Sequence, residues 1–110
     1  MAEARKVLGQ SYPTVGVLTT HYTVPGATTD IISTITACNQ SSSTTAKIRI
    51  SIAVAGAADT SAQYIAYDVL LDTNETRSFT LGIALGAADV IRVYSSTGTV
   101  SFNGFGVEIT

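Results

Sequence analysis

The sequence predicts an all-β fold: a single antiparallel β-sandwich, jelly-roll or immunoglobulin-like, of about seven strands preceded by an extended N-terminal arm. Three observations carry that expectation. In "TAKIRISIAVAG", Ala46, Ile48, Ile50, Ile52 and Val54 fall on one face while Lys47, Arg49, Ser51 and Ala53 fall on the other. That is the period of a half-buried strand, not of a helix. Runs with the same alternation recur between clusters of Pro, Gly, Asn, Asp and Ser, which form turns. The chain has 110 residues, the size of one domain with room for one modest core.

Residues 1 to 12 are polar and non-periodic, and Pro13 then sets an extended or turn geometry. They are expected to form a free arm, with the sandwich domain spanning 13 to 110, so that deleting the arm leaves the sandwich folded. "VGVLTTHYTV" (15 to 24) reads as a strand with Leu18, Tyr22 and Val24 in phase, and "PGATT" as its turn. "DIISTITACN" (30 to 39) carries Ile31, Ile35 and Ala37 on one face and Ile32, Thr34, Thr36 and Cys38 on the other, so neither face is charged. Such a strand is usually covered on both sides. After the serine run comes the isoleucine strand, and then a small-residue loop leads to "QYIAYDVLL". There Ile65, Tyr67, Val69 and Leu71 alternate with Tyr64, Ala66, Asp68 and Leu70. "TRSFTLG", "DVIRVYS" and "TVSFNGFGVEI" complete the set. "LGIALGAADV" (81 to 90) reads as a long loop with room for one helical turn. The apolar parity switches at Asn103-Gly104, which indicates a bulge or tight turn there.

Composition narrows the classes of function. The chain is 45% hydrophobic but only 13% charged, with a net charge of -2, about half the charge usual for a soluble domain. Nothing favours nucleic acid or an anionic membrane, since the basic residues are few and scattered. A polar but weakly charged surface suits a protein that packs against others, and the strand 30 to 39, together with Tyr64 and Leu70 on the solvent parity of the strand beginning at Tyr64, points to an oligomer. The single cysteine excludes an internal disulfide. "MAEARKVLGQ" has no apolar segment behind its basic pair, and no run approaches the roughly 18 residues that span a bilayer. The product is expected to be soluble and cytosolic at synthesis.

The residues offer little reactive chemistry. His21, Asp30 and Ser33 have the residue types of a hydrolytic triad but lack the G-x-S-x-G elbow that strains a nucleophile onto a turn. His21 is expected on the polar face of its strand. Cys38 has no predicted base beside it and reads as a small buried hydrophobe. One histidine and one cysteine fall short of a zinc set. Asp59, Asp72 and Asp89 lie in predicted loops, where aspartate serves the turn itself. Tyr64, Tyr67 and Tyr94 offer aromatic faces on which a sugar stacks, although packing is the commoner role of strand tyrosines. No enzyme, cofactor or metal is expected.

"KVLGQSYP" (6 to 13), "LTTHYTVPGATTDIISTITACN" (18 to 39) and "TLGIALGAADVIRVYSSTGTVSFNGFGVEI" (80 to 109) together resemble a group of small virion structural proteins of tailed bacteriophages. The resemblance spans nearly the whole chain and lies in strands and turns rather than in reactive residues. It departs from the group at His21, where leucine is common. The resemblance implies a structural part of a virion, expected to be a head decoration (cement) protein. That protein would be a trimer on the outer surface of the phage head, binding and stabilising the lattice of the major capsid protein. Arg5, Lys6, Val7, Leu8 and Gln10 of the arm are the candidate capsid contacts. Ile32, Thr34, Cys38, Tyr64 and Leu70 are the candidate subunit contacts. The alternative is a tail-fibre or receptor-binding component that contacts host-surface glycans. A fibre usually adds a stalk or attachment domain, for which this chain leaves no room.

Overall fold

The computed structural model describes residues 2–110 and bears out a sandwich of two four-stranded antiparallel sheets. Its strands are β1 (Glu3–Ser11), β2 (Thr19–Thr23), β3 (Thr29–Asn39), β4 (Ala46–Ala53), β5 (Tyr64–Leu71), β6 (Thr76–Leu85), β7 (Val90–Ser95) and β8 (Val100–Ile109). Single 3-10 turns at Val54–Gly56 and Ser61–Gln63 lie between β4 and β5. One sheet has the order β1-β8-β3-β6 and the other β2-β7-β4-β5. The pairs β1·β8, β2·β7, β3·β6 and β4·β5 are those of one long ribbon folded back at the β4–β5 connection. The pairs β3·β8 and β4·β7 roll that ribbon into two sheets. This is jelly-roll connectivity, one of the two forms expected.

The core lies between the sheets, where inward side chains of alternate positions meet. Ile32, Ile35 and Ala37 from β3, Ala46, Ile48 and Ile50 from β4, Ile91 and Val93 from β7, and Val100 and Phe102 from β8 are each at most 1% exposed. Beyond Ile50 the β4 alternation breaks. The β4·β5 register shifts on both sides of Ile50, Ser51 is buried, and Val54 is 69% exposed at the start of a 3-10 turn.

Several expectations are corrected. Residues 3 to 11 are not a free arm but an edge strand paired with β8, with Leu8 part of the core. Deleting residues 1 to 12 therefore strips β8 of a partner strand and opens the core at Leu8. Second, strand continues through the expected loop as far as Leu85, with Gly82 at φ +63 opposite the irregularity at Ser33. Glycine supplies the positive φ of such a bulge without ending the ladder. Ala88, at φ +70, takes part in no helical turn. Third, the register shift between Ile32 and Thr34 reverses the parity of β3, so Ile32 joins Ile35 and Ala37 inside. Finally, β8 itself runs straight through Asn103-Gly104. The irregularities lie in its two neighbours, at Leu8 and Ser33, and Phe105 points outward because the alternation simply continues.

Position 104 faces inward by the alternation of β8, and it is glycine because His21 fills the space a side chain would need. A Cβ on Gly104 would lie 2.9 Å from His21 Nε2, and a Cβ on its cross-strand partner Gly9 would lie 2.9 Å from both His21 Nε2 and His21 O. The imidazole of β2 thus wedges against β1 and β8 of the opposite sheet. His21 reaches that slot because the β2·β7 register shifts between Thr20 and Tyr22, turning it inward. Its expected place on the polar face is therefore wrong. Gly104→Ala is expected to lower stability by about 1–3 kcal/mol through overpacking. Thermal unfolding should show a smaller loss for the same change in a His21→Ala background, because the colliding ring is gone.

Candidate functional site

The sheet β1-β8-β3-β6 presents an outer face that is almost free of charge. Cross-strand partners share a face, so the register fixes which side chains lie together there. Val7 sits beside Phe105, Phe105 beside Thr34, and Thr34 beside Thr80. Ile31 lies beside Val107, Thr36 between Asn103 and Ser78, and Cys38 between Ser101 and Thr76. Val7 is 47%, Ile31 42% and Phe105 38% exposed. Around this apolar centre the polar side chains bond to one another. Gln10 Nε2 donates to Asn103 Oδ1 at 2.8 Å, the Thr34 and Thr80 hydroxyls share a bond of 3.2 Å, and Gln40 Nε2 donates to Ser101 Oγ at 3.3 Å. Charge enters this face on the edge strand β1, where Arg5 lies directly beside Val107 and Glu3 beside Ile109, and again at an Arg77–Glu75 pair on the β6 edge.

The outer face of the other sheet differs. Arg49 stands beside Tyr94, and Ser51 is paired with Arg92, whose guanidinium donates to the carbonyls of Ala57 and Gly56. Lys47 and Asp68 add charge close to Arg49. The two surfaces of the sandwich are therefore chemically distinct.

The candidate contact residues fall in separate places. Of the expected arm, Arg5 and Val7 are exposed, Lys6 Nζ is bonded to Glu108 Oε1 at 2.8 Å, Gln10 is tied to Asn103, and Leu8 is buried in its own core. Of the expected subunit contacts, Thr34 and Cys38 lie half-buried on the sparsely charged face. Ile32 is covered by its own chain and is not available to a partner. Tyr64 and Leu70 belong to β5, the edge of the opposite sheet, where Leu70 is 53% exposed. Sequence reasoning missed Phe105 and Val107 as surface residues because it expected a bulge at Asn103-Gly104 where β8 runs straight, and missed Ile31 because the break in β3 separates its parity from that of Ile35.

The residues weighed for catalysis do not converge. Ser33 Oγ donates to the Phe105 carbonyl, and Asp30 is buried beside Tyr22, while His21 Nδ1 shares a 2.8 Å bond with Ser11 Oγ. Burial lowers the His21 pKa to about 4, which makes the ring a poor acceptor for a serine proton at neutral pH. Its Nε2 has no partner among the described residues, so nothing there holds an imidazolium in place. Asp30 is 1% exposed, and neither its oxygens nor the Tyr22 hydroxyl has a hydrogen-bond partner among the described residues. Burial, with the Asp30 and Glu108 carboxylates nearby, pushes the Tyr22 phenol well above its usual range.

The loop aspartates serve local structure. Asp59 accepts from the Tyr64 hydroxyl, Asp72 from the Thr73 N–H, and Asp89 from the N–H groups of Ala55 and Gly86. Among the described residues no three His, Cys, Asp or Glu side chains are placed to hold a metal ion, and no helix is long and apolar enough to cross a membrane.

No protein-family model matches the chain, and no curated protein matches it.

His21 sets a pH dependence of stability. Its folded pKa, about 4, lies below the ordinary 6.5, so the unfolded chain binds the proton more readily. The stability attached to neutral His21 is complete above pH 6.5 and is lost as pH falls toward 4, a decline on the order of 3 kcal/mol. Denaturant unfolding between pH 7 and 4 should show this decline, and a His21→Gln variant should show a flatter profile over the same range.

Proposed function

We propose that the protein is a structural component of a tailed-bacteriophage virion, a head decoration protein that lays the β1-β8-β3-β6 face on the lattice of the major capsid protein. The observation that carries this reading is the sparsely charged outer face around Val7, Ile31, Phe105 and Val107, with Arg5 of the edge strand beside Val107. The centres of protein interfaces are depleted in charge, because a charge buried there must be desolvated and paired. Threonine, serine, asparagine and glutamine around the centre supply hydrogen bonds at lower desolvation cost. The sequence resemblance to small phage virion proteins supports the same setting, and jelly rolls are a recurrent architecture of capsid components. On this reading the protein works as a trimer, its attachment strengthened by multivalency.

The second reading, a receptor-binding or tail-fibre component, draws on the exposed tyrosines of β5. The two differ in stoichiometry. Quantitative mass spectrometry of purified particles should give copies on the order of hundreds, scaling with the capsid protein. A dozen or fewer would favour the tail. Phe105→Glu should reduce head occupancy by at least about ten-fold, since it forces an unpaired charge into the contact. Its melting temperature should stay near that of the parent, because the side chain points away from the core. Undiminished occupancy would remove this face from the contact.

A further inference from the structure

The opposite sheet carries a second, unrelated feature. Tyr64 and Tyr67 stand with ring centroids 5.2 Å apart and planes at 83°, forming a corner. With Ser61 they line an open cleft of about 370 Å³. Arg49 lies against the same group. Its guanidinium carbon is 4.1 Å from the centroid of Tyr67 and 4.4 Å from that of Tyr94, so both tyrosines stack on it. Arg49 Nε donates to Asp68 Oδ1 at 2.7 Å, which fixes the plane of the fork. The two terminal nitrogens make no hydrogen bond within residues 2–110 and remain free to donate.

The backbone underneath is irregular in a way that aims these groups. Between the Ile48·Val69 and Ile50·Ala66 pairs, Arg49 faces both Tyr67 and Asp68, and Asp68 adopts φ +53. A bulge of this kind re-aims a side chain out of the ladder, and backbone in a sparsely populated region concentrates at binding sites. The result is a Tyr67–Arg49–Tyr94 stack that runs across β5, β4 and β7, with Tyr67 58% exposed on the edge strand.

We propose that this cleft binds a neutral saccharide, with a pyranose ring stacked in the Tyr64–Tyr67 corner and its hydroxyl groups bonded to Arg49, Asp59 and Ser61. The chemistry of the site selects that class. Aromatic faces take the C–H face of a sugar, and a few convergent polar groups fix its orientation. Tyr64 donates to Asp59 Oδ2 at 3.0 Å, leaving carboxylate lone pairs to accept from sugar hydroxyls. Charge around the site is mixed: Arg49 and Lys47 lie near Asp68, Asp59 accepts from Tyr64, and Arg92 is committed to the carbonyls of Ala57 and Gly56, so no free cluster of one sign favours an acidic ligand. The volume is at the lower end of small-ligand pockets, roughly 300–1,000 Å³, and suits one or two sugar rings better than a protein surface.

The proposal is independent of how the sparsely charged face is used, and its test separates the two. Isotope-labelled full-chain protein is titrated with cellotetraose, chitotetraose and mannotriose, with sialyllactose as the acidic comparison, while the Tyr64 and Tyr67 ring and Arg49 Nε–H resonances are followed. At least one neutral oligosaccharide should shift these signals saturably below about 10 mM, and Tyr67→Ala should weaken binding by about ten-fold or more. Ser61→Arg, which fills the cleft from an exposed turn, should do the same, so the test does not depend on one variant folding. No saturable shift with any neutral sugar would overturn the proposal. So would binding confined to sialyllactose, or affinity that survives both substitutions.

Discussion

The contact on which the rest of the structure depends is the His21 ring lying across Gly9 and Gly104. β1 and β2 are edge strands of different sheets, and edges of a sandwich are where pairing is least constrained. The imidazole and its bond to Ser11 lock them together. Two glycines on adjacent strands create a slot that no other pair of residues would leave open, and the β2 bulge turns the only histidine into it. The ring is neutral there because it is buried, so the same contact that closes the sandwich also makes it sensitive to acid.

Around that slot the irregularities of the first sheet bracket one residue. The breaks at Leu8 in β1 and Ser33 in β3 flank Phe105 of β8 on its two sides. A one-residue shift in a strand sends every later side chain to the opposite face. The shift in β3 thus gives Ile32 to the core and leaves Thr34, Thr36 and Cys38 outside. Phe105 and Val107 stay outward because β8 itself carries no break and its alternation continues past Gly104. An apolar centre on the outer face and a filled interior follow together from an unbroken β8 between two bulged neighbours. On the far sheet, Arg49, Arg92, Lys47 and Asp68 make the other surface the more charged of the two.

Much of this was legible in the sequence. Alternation in β3, β4, β5, β7 and the start of β8 marked the strands, and the scarcity of charge is visible in the sparsely charged outer face of the first sheet. The choice between jelly-roll and immunoglobulin-like order was not legible, because it rests on pairings between strands far apart in the chain. Residues 1 to 12 read as an arm because β1 is an edge strand with mostly exposed side chains and no core-facing rhythm beyond Leu8. The extension of β6 was hidden by Gly82, which reads as a breaker but serves a bulge. His21 was misplaced because counting parity along β2 cannot foresee a residue inserted against β7. The tyrosine–arginine stack was visible only as three tyrosines; Arg49 and Asp68 join it through a register break that has no sequence signature.

The central claim is that the sparsely charged face is the side covered in the assembled particle. Cys38, the chain's only cysteine, sits on that face, half-exposed and free of any disulfide. The direct measurement is the rate at which a small maleimide labels Cys38 in the isolated protein and in intact heads. The account predicts steady labelling of the isolated protein and strong protection in the heads. Equal labelling in both would contradict it.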